Sequence, residues 1–143
     1  MTRLVAVSML IVILLLAACS STATSQPTTD IVGKHVAVDG GPYTDVSVAE
    51  LQTMLENKDF TFINVHVPFE GDIPGTDLSI PYDQIEQNLD KLPDKNAKLV
   101  LYCRSDRMSN IAAKTLVGLG YTNIWNLDGG MVDWEGEGLT IER

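Results

Sequence analysis

Apolar and polar positions along this chain switch repeatedly between a period near two and a period near 3.6. "VSVAELQTMLENK" opens with the capping-box pair Ser47 and Glu50 and sets Val48, Leu51, Met54 and Leu55 at helical spacing, which predicts a helix packed on one side. "FTFINV", Phe60 to Val65, is β-branched and aromatic and predicts a strand. The turn-rich "PFEGDIPGTD" follows, and the short apolar "LSIP" predicts a further strand. "YDQIEQNLDKL" places Ile85, Leu89 and Leu92 at helical spacing ahead of Pro93 and predicts a second helix. "AKLVLYC" is a short, almost continuously apolar run with polar residues on both sides, the signature of a strand buried on both faces. "MSNIAAKTLVGLG" predicts a helix with Ile111, Ala112, Thr115, Leu116 and Leu119 inward and a stop at Gly120. "NIWNL" predicts another strand and "GGMVDWEGEG" a last short helix or turn, with Trp125 and Trp134 as core and Gly129 and Gly130 as turn residues. Strands alternating with helices give an α/β fold with a mainly parallel sheet, whose working surface lies at the carboxyl ends of its strands.

The amino end follows different rules. Arg3, the apolar run Leu4 to Leu16 and the small residues of "LAAC" have the order of an export signal, and the tetrapeptide resembles a bacterial lipobox in which Cys19 becomes the lipid-bearing first residue. As a helix, Leu4 to Ala18 would span about 22 Å, short of a hydrocarbon core of roughly 30 Å, so a tether is expected and not a span. The expected organisation is a lipoprotein signal over residues 1–18, a lipidated Cys19 and flexible spacer over 19–40, and one domain over 41–143. That places the protein in the cell envelope, on the non-cytoplasmic side of a bacterial membrane. His35 falls before the domain and is expected to be exposed and idle.

A net charge of −9 with no basic run excludes nucleic acid as a partner, since that binding needs a basic patch to displace counterions. Against this acidity, Arg104 and Arg107 both lie within four positions of Cys103, and past residue 18 the one other arginine is Arg143. With Cys19 lipidated, Cys103 has no partner in the chain, so it is either a reactive thiol or a small buried hydrophobe. Its neighbours favour the first. It ends a buried strand and leads into a helix start, where free amides and the positive end of the helix dipole favour a thiolate. The arginine fork suits planar or tetrahedral oxyanions.

From about Tyr43 to Glu142, "YTDVSVAEL", "FINVHVPFEGDIPGTDLSIPYDQI", "LVLYCRSDRMSNIAAKTLVGLGYTNIWNLDGG" and "MVDWEGEGL" are similar in order and spacing to a single rhodanese domain of the sulfurtransferase family. The resemblance implies a three-layer α/β fold with a five-stranded, mainly parallel sheet flanked by helices. It also implies that Cys103 carries sulfur as a persulfide and that Arg104, Ser105, Asp106, Arg107 and Met108 form its loop. A small anionic donor such as thiosulfate would load the cysteine, and a thiol or cyanide would unload it. No metal or organic cofactor is implied, and the oligomeric state is left open.

Two departures from the family's pattern stand out. Asp106 replaces a glycine common at the third position after the cysteine; aspartate tolerates a left-handed backbone, so the loop can form, but a carboxylate turned inward would repel the donor. Weak activity, raised by Asp106→Gly, is the expectation. Asn64 and His66 stand where the family commonly has an acidic residue and an arginine, which reads as a neutral replacement for an ion pair. His66 is expected near the Cys103 loop, bonding loop backbone or else contacting the donor. Phosphatases of related fold place an arginine six positions after the nucleophile; here that position is Ser109, which argues for the sulfur-sized loop. Redox exchange lacks a resolving cysteine. The alternative is a weakly active or non-catalytic binding module in the envelope.

Overall fold

A computed structural model describes residues 31–143 of the 143-residue chain. The expected signal, the Cys19 lipidation site and the spacer up to residue 30 lie outside the described residues. Six strands, β1 (Lys34–Val38), β2 (Gly41–Val46), β3 (Thr61–Asn64), β4 (Leu78–Ser79), β5 (Leu99–Tyr102) and β6 (Ile124–Leu127), form one sheet in the order β1-β2-β6-β5-β3-β4. Every neighbouring pair is parallel except β1 with β2. The expected count of five is therefore corrected to six.

Beyond the four strands the pattern predicts, the structure adds β2 at the start of the domain and β1 in the stretch expected as spacer. Asp39 and Gly40 form a two-residue turn, Gly40 at φ 95°, that folds Lys34–Val38 back along β2 with Val38 opposite Gly41. His35 is accordingly a strand residue, exposed, with its Nδ1 3.2 Å from Thr44 Oγ1.

Alternate residues of the central strands face opposite sides. Leu99, Leu101 and Ile63 join one core with Ala112, Ala113 and Leu116, whereas Val100, Tyr102 and Phe62 join another with Leu51, Met131 and Trp134. The first core lies under α2 (Arg107–Gly118) and a 3-10 helix (Tyr82–Lys91), the second under α1 (Val48–Glu56) and α3 (Gly130–Gly136). The capping box predicted for α1 is present, with the Glu50 amide donating to Ser47 Oγ and the Ser47 amide to Glu50 Oε2.

Two helix predictions need correction. Tyr82–Lys91 is a 3-10 helix interrupted at Asn88, because Pro81 supplies no side-chain cap and the Gln84 amide closes back on the Pro81 carbonyl at 2.9 Å. In α2 the buried stripe is Ser109, Ala112, Ala113, Leu116 and Val117, and Ile111 is 38 % exposed. Both stripes have helical spacing. The small residues 109, 112 and 113 let α2 lie close against β2, β5 and β6, and that turns Ile111 outward.

Candidate active site

Cys103 follows the last residue of β5, in the middle of the sheet, and is 2 % exposed. It opens onto a pocket of about 200 Å³ lined by His66, Cys103, Arg104, Ser105, Arg107 and Met108. A roomier cleft of about 400 Å³ between Ser47–Ala49 and Asp128, Asp133 and Glu137 contributes no thiol, imidazole or cation. The thiol, an imidazole and two guanidinium groups line the smaller pocket.

The loop from Cys103 to α2 is held open by one unusual turn. Asp106 has φ 70° and ψ −44°, and the Arg107 amide donates to the Ser105 carbonyl at 2.9 Å, so residues 105–107 make a γ-turn of the rare, strained hand. Asp106 occupies the N-cap position of α2 yet makes no capping bond. Its Oδ1 instead accepts from the Gly129 amide at 2.7 Å, and neither residue lines the pocket. Among the described residues, no protein acceptor takes the amides of Ser105, Asp106 or Met108. An uncapped helix N-terminus next to the thiol is thus free to receive an anion. Of the predicted site residues, Cys103, Arg104, Ser105, Arg107, Met108 and His66 come together, while the Asp106 side chain does not join them.

Of the two placements open to the Asp106 carboxylate, the structure shows the outward one: it accepts from Gly129, does not line the pocket and does not pair with Arg107. Its ionisation is still penalised. Burial, foremost, and the fields of Asp128, Asp45 and Asp133 push its carboxyl above the usual range, against the opposing pull of the Gly129 amide. A carboxyl raised on folding costs stability while it is ionised; the cost is complete above the folded value and fades as pH falls toward the unfolded one. Asp106→Asn keeps an acceptor for Gly129 and tolerates positive φ. It is expected to melt higher than wild type at pH 7, with the advantage shrinking on acidification, as thermal scans across that range will read.

The base of the loop is clamped by α3. Met131 and Val132 donate their amides to the carbonyls of Cys103 and Arg104, each at 3.0 Å. Ser109 is fully buried, its hydroxyl donating to the Asp106 carbonyl at 3.1 Å, so the sixth position after the thiol holds a structural group and no cation.

Across the pocket, Asn64 and His66 do not replace an ion pair with one another's side chains. Asn64, 1 % exposed, accepts from the His66 amide and donates to the Gly71 carbonyl and Asp72 Oδ1, all at 2.9 Å, pinning the turn that carries the rim. His66 has a side chain 6 % exposed, and neither ring nitrogen has a hydrogen-bond partner, which overturns the expected bond to loop backbone. Glu70 Oε1 lies 3.5 Å from its Nε2. The other Glu70 oxygen holds Arg104 at 2.7 Å. Desolvation works to raise the Glu70 carboxyl; the neighbouring His66 ring and the Arg104 guanidinium outweigh it and hold the group below the usual range. Glu70 escaped the sequence reading because its partner is 34 positions away. Arg107 is exposed and pairs with no carboxylate among the described residues.

Residues 47–137 match the rhodanese-like domain family. A sulfurtransferase of Allochromatium vinosum is 32% identical over 63% of this chain and 85% of its own length. A putative sulfur carrier protein of Bacillus subtilis is 34% identical, over 46% of this chain and 34% of that protein. Among solved structures, a rhodanese-like domain protein from Staphylococcus aureus aligns with a TM-score of 0.58 at 31% identity, covering 69% of this chain and 98% of the other.

Proposed function

Because this chain belongs to the rhodanese-like domain family, we propose that it is a sulfurtransferase that carries sulfane sulfur as a persulfide on Cys103. The observation that supports this most directly is the thiol itself, at the floor of a pocket whose adjoining helix N-terminus is uncapped. In the loading step the Cys103 thiolate attacks the outer sulfur of thiosulfate. A bond forms between the two sulfurs, the donor's S–S bond breaks, and its electron pair leaves with sulfite. The amides of Ser105, Asp106 and Met108, which no protein acceptor takes among the described residues, are fixed donors available to the charge that develops there. Arg107, unpaired, attracts the anionic donor; Arg104 is partly neutralised by Glu70 and contributes less. A thiol or cyanide then removes the sulfur.

Mass spectrometry of the purified protein after incubation with thiosulfate tests the reading. A gain of one sulfur on the peptide containing Cys103 is expected, released by cyanide. Absence of any gain, with the fold intact, would leave the binding-module alternative in its place.

The lipobox-like "LAAC" supports a further element of the proposal: lipid on Cys19 tethers this domain to the non-cytoplasmic face of a bacterial membrane. Fractionation of cells should recover the protein with membranes, and Cys19→Ala should release it. Equal membrane recovery of both forms would count against a lipid tether.

A further inference from the structure

We propose that His66 is the base that takes the proton from a thiol acceptor during sulfur unloading, with Glu70 positioning its ring. The inference rests on the persulfide reading above and concerns the half-reaction in which a proton has to leave the attacking group. Loading from thiosulfate moves no proton, since the thiolate attacks and sulfite departs with its own charge. Unloading to a thiol differs. Near neutral pH most free thiol carries its proton and is a poor nucleophile until it is lost.

His66 is the one residue lining the pocket that can accept a proton. Arg104 and Arg107 are permanent cations, Ser105 is a hydroxyl, Met108 is a thioether, and Cys103 is bound to the sulfur being transferred. The ring is more than nine-tenths buried with both nitrogens unpartnered, a state that costs free energy unless a ligand completes it. Glu70 Oε1, 3.5 Å from Nε2, stands where it stabilises a ring that has taken up a proton, and the neutral ring with its hydrogen on Nε2 leaves Nδ1 as the acceptor. Backbone placement is also fixed, because the His66 amide is bonded to buried Asn64.

The step balances without an oxidant. Nδ1 removes the acceptor's S–H proton, and the acceptor sulfur attacks the outer sulfur of the persulfide, which loading left without a proton and which departs as the acceptor's persulfide anion. A new S–S bond forms, the bond to Cys103 Sγ breaks, and its pair remains there as the thiolate. The imidazolium faces the Glu70 carboxylate and returns its proton to solvent.

The test is an acceptor split on protein preloaded with thiosulfate. Unloading to 2-mercaptoethanol requires the base; unloading to sulfite, already an anion, does not. His66→Gln is expected to slow thiol unloading by roughly tenfold or more while leaving sulfite unloading within about twofold. Exposed Glu70 supplies a second variant that does not disturb the core: Glu70→Gln should slow thiol unloading less than His66→Gln does, while unloading to sulfite holds or rises as Arg104 loses its neutralising partner. Equal slowing with both acceptors, or thiol unloading as fast as wild type in both variants, overturns the inference. Wild type that loads and unloads normally keeps the persulfide reading intact in that case. Wild type that never gains sulfur overturns both.

Discussion

Cys103→Ser is expected to lose sulfur loading altogether, with transfer from thiosulfate falling by roughly 10³-fold or more, as removal of a covalent nucleophile does elsewhere. An alcohol of nearly the same size keeps the shape of the site, but it is not ionised near neutral pH and cannot hold sulfur as a persulfide. Nothing nearby can substitute: among the described residues Cys103 is the free cysteine. The substitution also separates chemistry from folding. The side chain sits in the core beside Leu101 and Ala112, so a buried hydroxyl costs about 1–3 kcal/mol where it finds no partner. Melting temperature should fall by a few degrees while loading disappears. Sulfur transfer retained in this variant would place the nucleophile elsewhere and sink the proposed function.

The central part of this site could be read from local sequence, and its supports could not. "LVLYCRSDRMSN" contains its own geometry: an apolar run ends, three polar residues turn the chain, and a helix begins, so Cys103 had to lie at a strand's carboxyl end. Even the positive φ at residue 106 was foreseeable from aspartate's tolerance for it, although the turn proved to be a γ-turn. Where the Asp106 carboxylate goes depends on Gly129, 23 positions away, and no local pattern encodes that distance. Glu70 against Arg104 is the same kind of contact. The missed strand β1 is different, since Asp39-Gly40 between two runs of strand-forming residues is a strong hairpin signal. For α2 the expected stripe through Ile111 and Leu119 has the same spacing as the observed one through Ala113 and Val117, and the close approach of small residues to the sheet decides between them.

Gly130 is the position where a single methyl group is expected to do the most damage to the fold and the site together. Read locally it is a turn glycine. In the structure its φ is 58°, and a Cβ there would lie 2.4 Å from the Cys103 carbonyl oxygen and 2.9 Å from the Arg104 carbonyl. Both contacts are backbone, so no side chain can swing aside. Relief must come from moving α3 off the loop, which breaks the amide bonds from Met131 and Val132 to those same carbonyls. The left-handed backbone costs about 1–2 kcal/mol for an L residue and each lost buried hydrogen bond about 1 kcal/mol. Gly130→Ala should therefore lose about 3–4 kcal/mol by chemical denaturation, a large share of the roughly 5–15 kcal/mol typical of a domain. Sulfur loading should fall even in the fraction that folds, because the carbonyls that fix the loop's direction have shifted. Gly136→Ala in the same helix is the control: a Cβ there meets nothing within 4 Å, and its expected effect is neutral or slightly stabilising. If the two variants melt alike and load sulfur alike, α3 is not the clamp that aims Cys103 into its pocket.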